Sequence, residues 1–127
     1  MEKTINYYTF AENDYLFLKA NMENHRMSNA MTSIARNVCE RYLKHLIEIY
    51  CFEIDCTSIF KTCSLKKILR FMEDHLPDFK IKKSKVILVA DEEDVEICWV
   101  AVQETKQAVN AYLKEHPKTQ KSILDME

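Results

Sequence analysis

The stretch MSNAMTSIARNVCERYLKHLIEIY, residues 27–50, decides the fold class of this chain. Its apolar residues run from Met27 through Met31, Ile34, Val38, Tyr42 and Leu46 to Tyr50, at steps of three and four. That spacing puts them on one face of a 3.6-period helix. Ser33, Arg36, Asn37, Glu40, Arg41, Lys44, His45 and Glu48 fall on the opposite face. Neither Gly nor Pro interrupts the pattern, which predicts one helix of about six turns. A stripe of that length needs several other segments to cover it, and the flanking sequence supplies them.

Upstream, Thr9-Phe10-Ala11-Glu12 has the form of a capping box, with the Thr hydroxyl and the Glu carboxylate satisfying first-turn N–H groups. The helix it opens is expected to end near Asn24, and the break Asn24-His25-Arg26 makes it an antiparallel neighbour of the central helix. Downstream, residues 51–62 read as a mixed loop whose Ile54, Ile59 and Phe60 tuck under the bundle. Ser64 is a candidate N-cap for a third helix carrying Leu65, Ile68, Leu69, Met72 and Leu76, which Pro77 stops. From Phe79 to Ala90 a lysine-rich segment runs into Val86-Ile87-Leu88-Val89, where β-branched residues favour a strand. A lone strand has no ladder partner except near residues 52–54, so an extended or partly helical crossover is expected. Asp91-Glu92-Glu93-Asp94 suits the positive end of a helix dipole. Val95, Cys98, Trp99, Val102, Val109, Tyr112 and Leu113 mark the face of a last helix ending near Glu115, before Pro117. Residues 116–127 form a polar tail. The prediction is an all-α fold: one domain over 1–127 with its core at about 9–115. Its form is an up-and-down antiparallel four-helix bundle with a longer crossover before the last helix.

Composition narrows the function. Hydrophobic residues make up 47% and charged ones 30%, as in an ordinary globular domain. The formal net charge of −2 provides no global attraction for nucleic acid or an acidic membrane, so such binding must come from a local patch. There is no glycine at all. P-loops, G-x-G-x-x-G turns and nucleophile elbows need glycine where backbone approaches a phosphate or turns sharply, so those classes fall away. The five cysteines contain no C-x-x-C pair, and an odd count suits reduced structural thiols better than a disulfide framework or a zinc site. No apolar run is long enough to span a bilayer, and residues 1–7 lack the features of a signal peptide. A cytoplasmic protein without cofactor or metal is expected.

Residues 31–47, MTSIARNVCERYLKHLI, resemble the second helix of HEPN (higher eukaryotes and prokaryotes nucleotide-binding) domains. In that helix a small residue, an acidic residue and a Leu-Lys pair recur, here Ala35, Glu40 and Leu43-Lys44. Thr62-Cys63-Ser64-Leu65 is similar to the family's Thr-His-x-Leu helix start, with Cys63 where His is usual, and residues 91–113 are similar to its last helix. The resemblance implies a helical bundle, often a homodimer, working on or near RNA or nucleotides. It also implies a nucleotidyltransferase or antitoxin partner, or a metal-independent ribonuclease with an Arg-polar-x-x-x-His motif.

Two places approach that motif. Arg70 and His75 have the Arg-x4-His spacing, but Phe71 stands at the polar position. Arg41 and His45 lie one turn apart on the wet face of the central helix, where Glu40 and Glu48 offer ordinary ion pairs. In either pair the His would move a proton and the Arg would hold phosphate charge. Arg36, Asn37 and Lys44 form one candidate phosphate-binding patch, and Lys80, Lys82, Lys83 and Lys85 another. The acidic run at 91–94 would repel phosphate, which favours a binding module over a ribonuclease. A helical interaction adaptor with no nucleic-acid role is the further alternative.

Overall fold

The structure, a computed structural model, describes residues 6–26, 28, 31–51, 53–81 and 95–116. These form five α-helices: α1 Tyr7–Glu23, α2 Thr32–Tyr50, α3 Thr57–Lys61, α4 Leu65–His75 and α5 Val95–Glu115. No strand occurs among the described residues, so the expected all-α class holds.

Helix α2 is the hub, in contact with α1, α4 and α5. Ala35, Val38, Cys39, Tyr42, Leu43, Leu46 and Ile47 are fully buried, the stripe that the periodicity of residues 27–50 predicts. Removing one Leu side chain from water contributes about 1.5–3 kcal/mol, so this stripe dominates the stability of the fold. The helix is shorter than expected, beginning at Thr32 after a 3-10 turn at Met31, with no side-chain cap.

Side-chain contacts fix the chain directions. Tyr8 meets His45, Glu12 meets Tyr42 and Asp14 meets Arg41, so α1 runs antiparallel to α2. Tyr8 meets Asn110, Glu12 meets Lys106 and Tyr15 stacks on Trp99, so α1 also runs antiparallel to α5. Cys39 accepts from Thr105 at 3.5 Å and the Tyr50 hydroxyl donates to the His116 carbonyl at 2.6 Å, so α2 and α5 run parallel.

The helix ends explain the boundaries. The expected capping box at Thr9 and Glu12 does not form. Asn6 is the N-cap of α1 and accepts from the Thr9 N–H at 3.0 Å, leaving Glu12 free to turn inward. At the other end, the His25 N–H reaches the Met22 carbonyl and the Arg26 N–H reaches the Asn21 carbonyl, the two bonds of a Schellman motif. That motif wants glycine at its left-handed position. This chain has none, and His25 occupies it at φ 56°. Ser64 caps α4 as the sequence indicates, accepting from the Lys67 N–H at 3.3 Å.

Helix α3 is a departure from the loop expected over 51–62. Asp55 starts it, accepting from both the Thr57 N–H and hydroxyl, and Lys44 holds its last turn by donating to the Phe60 carbonyl at 2.9 Å. The crossover expected at 79–90 and the acidic start at 91–94 lie outside the described residues beyond Ile81, as does the tail beyond His116.

Two substitutions gauge this framework in urea unfolding. Leu46→Ala should cost about 2–5 kcal/mol, against less than about 0.5 kcal/mol for Ile97→Ala on the outer face of α5; equal costs would remove α2 from the centre of the core. His25→Gly should add up to about 1 kcal/mol, the relief of left-handed strain less the greater entropy of the unfolded chain. A loss of stability would show that the imidazole makes a contact worth more than the strain.

Candidate functional site

Cations divide this molecule into two kinds of surface. Along the seams of α1, α2 and α5 they are neutralised by carboxylates. Glu12 of α1 accepts from the Tyr42 hydroxyl and the Lys106 ammonium, each at 2.6 Å. Lys106 also lies over the rings of Tyr15 and Tyr42, and the Tyr8 hydroxyl donates to Asn110 alongside. Burial alone would raise the Glu12 carboxyl, but the hydrogen bonds from Lys106 and Tyr42 outweigh it and hold the group below the usual carboxylate range. Burial, with the Glu12 carboxylate next in order, pushes the Tyr42 hydroxyl far above the ordinary phenol value. This is a structural lock, with every polar group engaged.

The cations predicted on α2 belong to the same regime. Arg41 pairs with Asp14 at 3.1 Å beneath the Phe10 ring. Lys44 is buried, donating to Glu40 at 2.7 Å as well as to Phe60. An ammonium so placed is not presented to a solvent-borne phosphate, which corrects its expected role. His45 Nδ1 lies 3.1 Å from Glu48, and its ring rests on Tyr8. Arg41 and His45 therefore each face a carboxylate rather than a shared cleft. Arg36 is half-buried and has a partner of its own, and Asn37 is exposed.

The second surface is the outer face of α3 and α4. Lys61, Lys66, Lys67 and Arg70 are exposed, and among the described residues none of the four has a carboxylate partner. On a 3.6-residue helix Lys66, Lys67 and Arg70 fall within about 100° of one another. The Ser64-capped N-terminus of α4 adds the positive end of its dipole to the same place. Arg70 and His75, by contrast, are five residues apart and so point about 140° from each other. His75 lies against the Phe71 ring at 4.3 Å, on the far flank. In a single chain the two side chains therefore leave the helix on different flanks.

The opposite flank of α4 borders a groove of about 880 Å³, lined by Leu69, Met72, Leu76, Phe79 and Ile81 with Ala108 of α5. Exposed Lys80 stands on its rim. Lys82, Lys83 and Lys85 lie outside the described residues. No described group of three His, Cys, Asp or Glu side chains is placed to hold a metal ion. Four of the five thiols are buried. Burial pushes Cys39 up to about 12 and Cys51 up to about 11, which keeps both protonated and unreactive. No described helix is long and apolar enough to cross a membrane.

Sequence reasoning named Arg70 but passed over Lys61, Lys66 and Lys67. The signal was present: no Asp or Glu stands three or four positions from Lys66 or Lys67, so neither can be neutralised along its own helix. Glu12, Lys106 and Tyr42 carried no such signal, because their partners come from three different helices.

Compared with known proteins, the chain matches no family model, no curated protein and no solved structure.

The lock makes a pH prediction. A carboxyl held down in the folded state contributes stability above its unfolded pKa, and that contribution is lost as pH falls through the folded value. Between about pH 6 and about pH 3, which brackets the carboxylate range, the wild type should therefore lose more stability than Glu12→Gln. Near neutral pH the substitution should cost roughly 1–3 kcal/mol, the worth of hydrogen bonds to a charged group. Parallel urea midpoints for the two proteins across that range would show that Glu12 has no part in the acid response.

Proposed function

We propose that this chain is a HEPN-like, nucleic-acid-associated binding module without a catalytic step of its own, and that its anion-binding surface is the α3–α4 face. The observation that carries the proposal is the set of four exposed, unpaired cations at Lys61, Lys66, Lys67 and Arg70. Arg41, Lys44 and Lys106 are paired with carboxylates at or near the helix seams, whereas these four are left to solvent. Lys66, Lys67 and Arg70 share one face of α4 beside its N-terminus, with Lys61 four residues before that helix, and supply the local positive field that phosphate contacts need. The directions of α1, α2 and α5 suit the first, second and last helices of an up-and-down bundle, which supports the HEPN-like arrangement. Within this reading the module works as a homodimer beside a nucleotidyltransferase or toxin–antitoxin partner, and RNA or a nucleotide is its ligand.

The ribonuclease alternative is less favoured, since Arg41 and His45 each face a carboxylate and Arg70 and His75 leave α4 on different flanks. The adaptor alternative has no need of an unpaired cationic face.

Fluorescence anisotropy with a labelled 20-nucleotide RNA of mixed sequence tests the assignment. The triple variant Lys66→Glu/Lys67→Glu/Arg70→Glu should bind at least tenfold more weakly, with a salt slope shallower by about 2. Arg41→Gln should bind as the wild type does. Unchanged affinity in the triple variant would remove the α4 face from the proposal. The same RNA incubated with protein in EDTA should stay intact, whereas cleavage abolished by His75→Ala or His45→Ala would establish a ribonuclease instead.

A further inference from the structure

The α4 face carries a second feature beside its cations. Lys67, Phe71 and His75 follow one another at steps of four, a ridge along one side of the helix. Phe71 is half-buried and packs on the core, while His75 at the end of the helix is exposed. The imidazole lies against the phenyl ring with centroids 4.3 Å apart and planes tilted by 40°. An outward aromatic ring is thus held on a fixed apolar support, two turns along the ridge from Lys67 and about 140° around the helix from Arg70, so a ligand that reaches both passes over Lys67.

The charges divide the helix between two kinds of ligand group. Its first half presents Lys66, Lys67 and Arg70, but exposed Asp74 precedes His75 in the last turn. That carboxylate disfavours a phosphate at the far end of α4. A neutral base has no such penalty, and stacking on an aromatic ring is open to every base. In a duplex the base faces are already stacked on each other, and only an unpaired base can offer one.

Building on the nucleic-acid-binding role, we propose that the α4 face takes single-stranded rather than duplex nucleic acid. Its phosphates lie on Lys61, Lys66, Lys67 and Arg70, and an unpaired base stacks on the His75 ring backed by Phe71. The ligand class is therefore a loop, bulge or free end. Its recognition is tolerant of sequence, since a ring face reads stacking rather than base edges.

A single-stranded RNA carrying 2-aminopurine, whose fluorescence is quenched on stacking, reads the base contact directly, and anisotropy reads affinity in parallel. Wild-type protein should quench the probe and bind the single strand more tightly than the matching duplex. His75→Ala should lose the quench and bind the single strand about fivefold or more weakly, with duplex binding unchanged. His75→Tyr should restore both. Phe71→Leu keeps an apolar support in the core, avoids unfolding the helix, and should weaken the quench. If His75→Ala quenches and binds as the wild type does, or if the wild type prefers duplex, the stacking assignment is overturned while the cationic face stands. If the wild type binds neither RNA, both the assignment and the binding role fall.

Discussion

Covering the apolar stripe of α2 is the constraint on which the rest of this structure depends. Seven of its side chains are fully buried, and a single helix cannot hide them from water. Helices α1, α4 and α5 are placed around it, each giving up one face to the contact. The cost is that polar groups on α2 are carried inward with the stripe. Tyr42 and Lys44 both enter the covered region, where an unsatisfied hydroxyl or ammonium would be costly. Each is met by a carboxylate, Glu12 for Tyr42 and Glu40 for Lys44. Among the described residues no buried side-chain nitrogen or oxygen lacks a partner.

This accounting explains why the cations are so unevenly employed. Arg41 and Lys106 sit at helix seams, where desolvation rewards pairing with acids from a neighbouring helix, and buried Lys44 pairs with Glu40 on its own helix. The cations on α3 and the first half of α4 face outward, and their hydration makes pairing unnecessary. A modest net charge therefore conceals a local positive face. Overall charge is a poor guide to binding in a small protein, because a local patch of one sign is offset by opposite charges elsewhere on the surface.

The sequence made legible whatever depended on local pattern. The 3.6 period placed α2 and α5, Ser64 and Pro77 bracketed α4, and Asn24-His25-Arg26 marked the turn out of α1. It misled where two local solutions compete for one end. Asn6 and Thr9 can each cap a helix, and the choice turns on Glu12, whose carboxylate is worth more against Lys106 and Tyr42 than in a capping box. Helix α3 was illegible because five residues carry too little period, and a buried ammonium from α2 completes its last turn. The site followed the same rule. The lack of acids around Lys66 and Lys67 could be read from spacing, but the Asp14 that occupies Arg41 stands 27 residues away. Arg70 and His75 are separated by the turn of the helix itself, which a linear motif does not represent.

The chain has one tryptophan, and its position gives the molecule an internal optical gauge. Trp99 is nearly buried on α5 and stacks on Tyr15 of α1 with ring centroids 5.3 Å apart. Indole emission responds to polarity and to nearby rings, so the intrinsic fluorescence of this protein is dominated by one contact, the seating of α1 on α5. Spectral changes on titration or heating therefore follow the separation of those two helices. The α3–α4 face, which contains neither tryptophan nor tyrosine, is largely invisible to the same light.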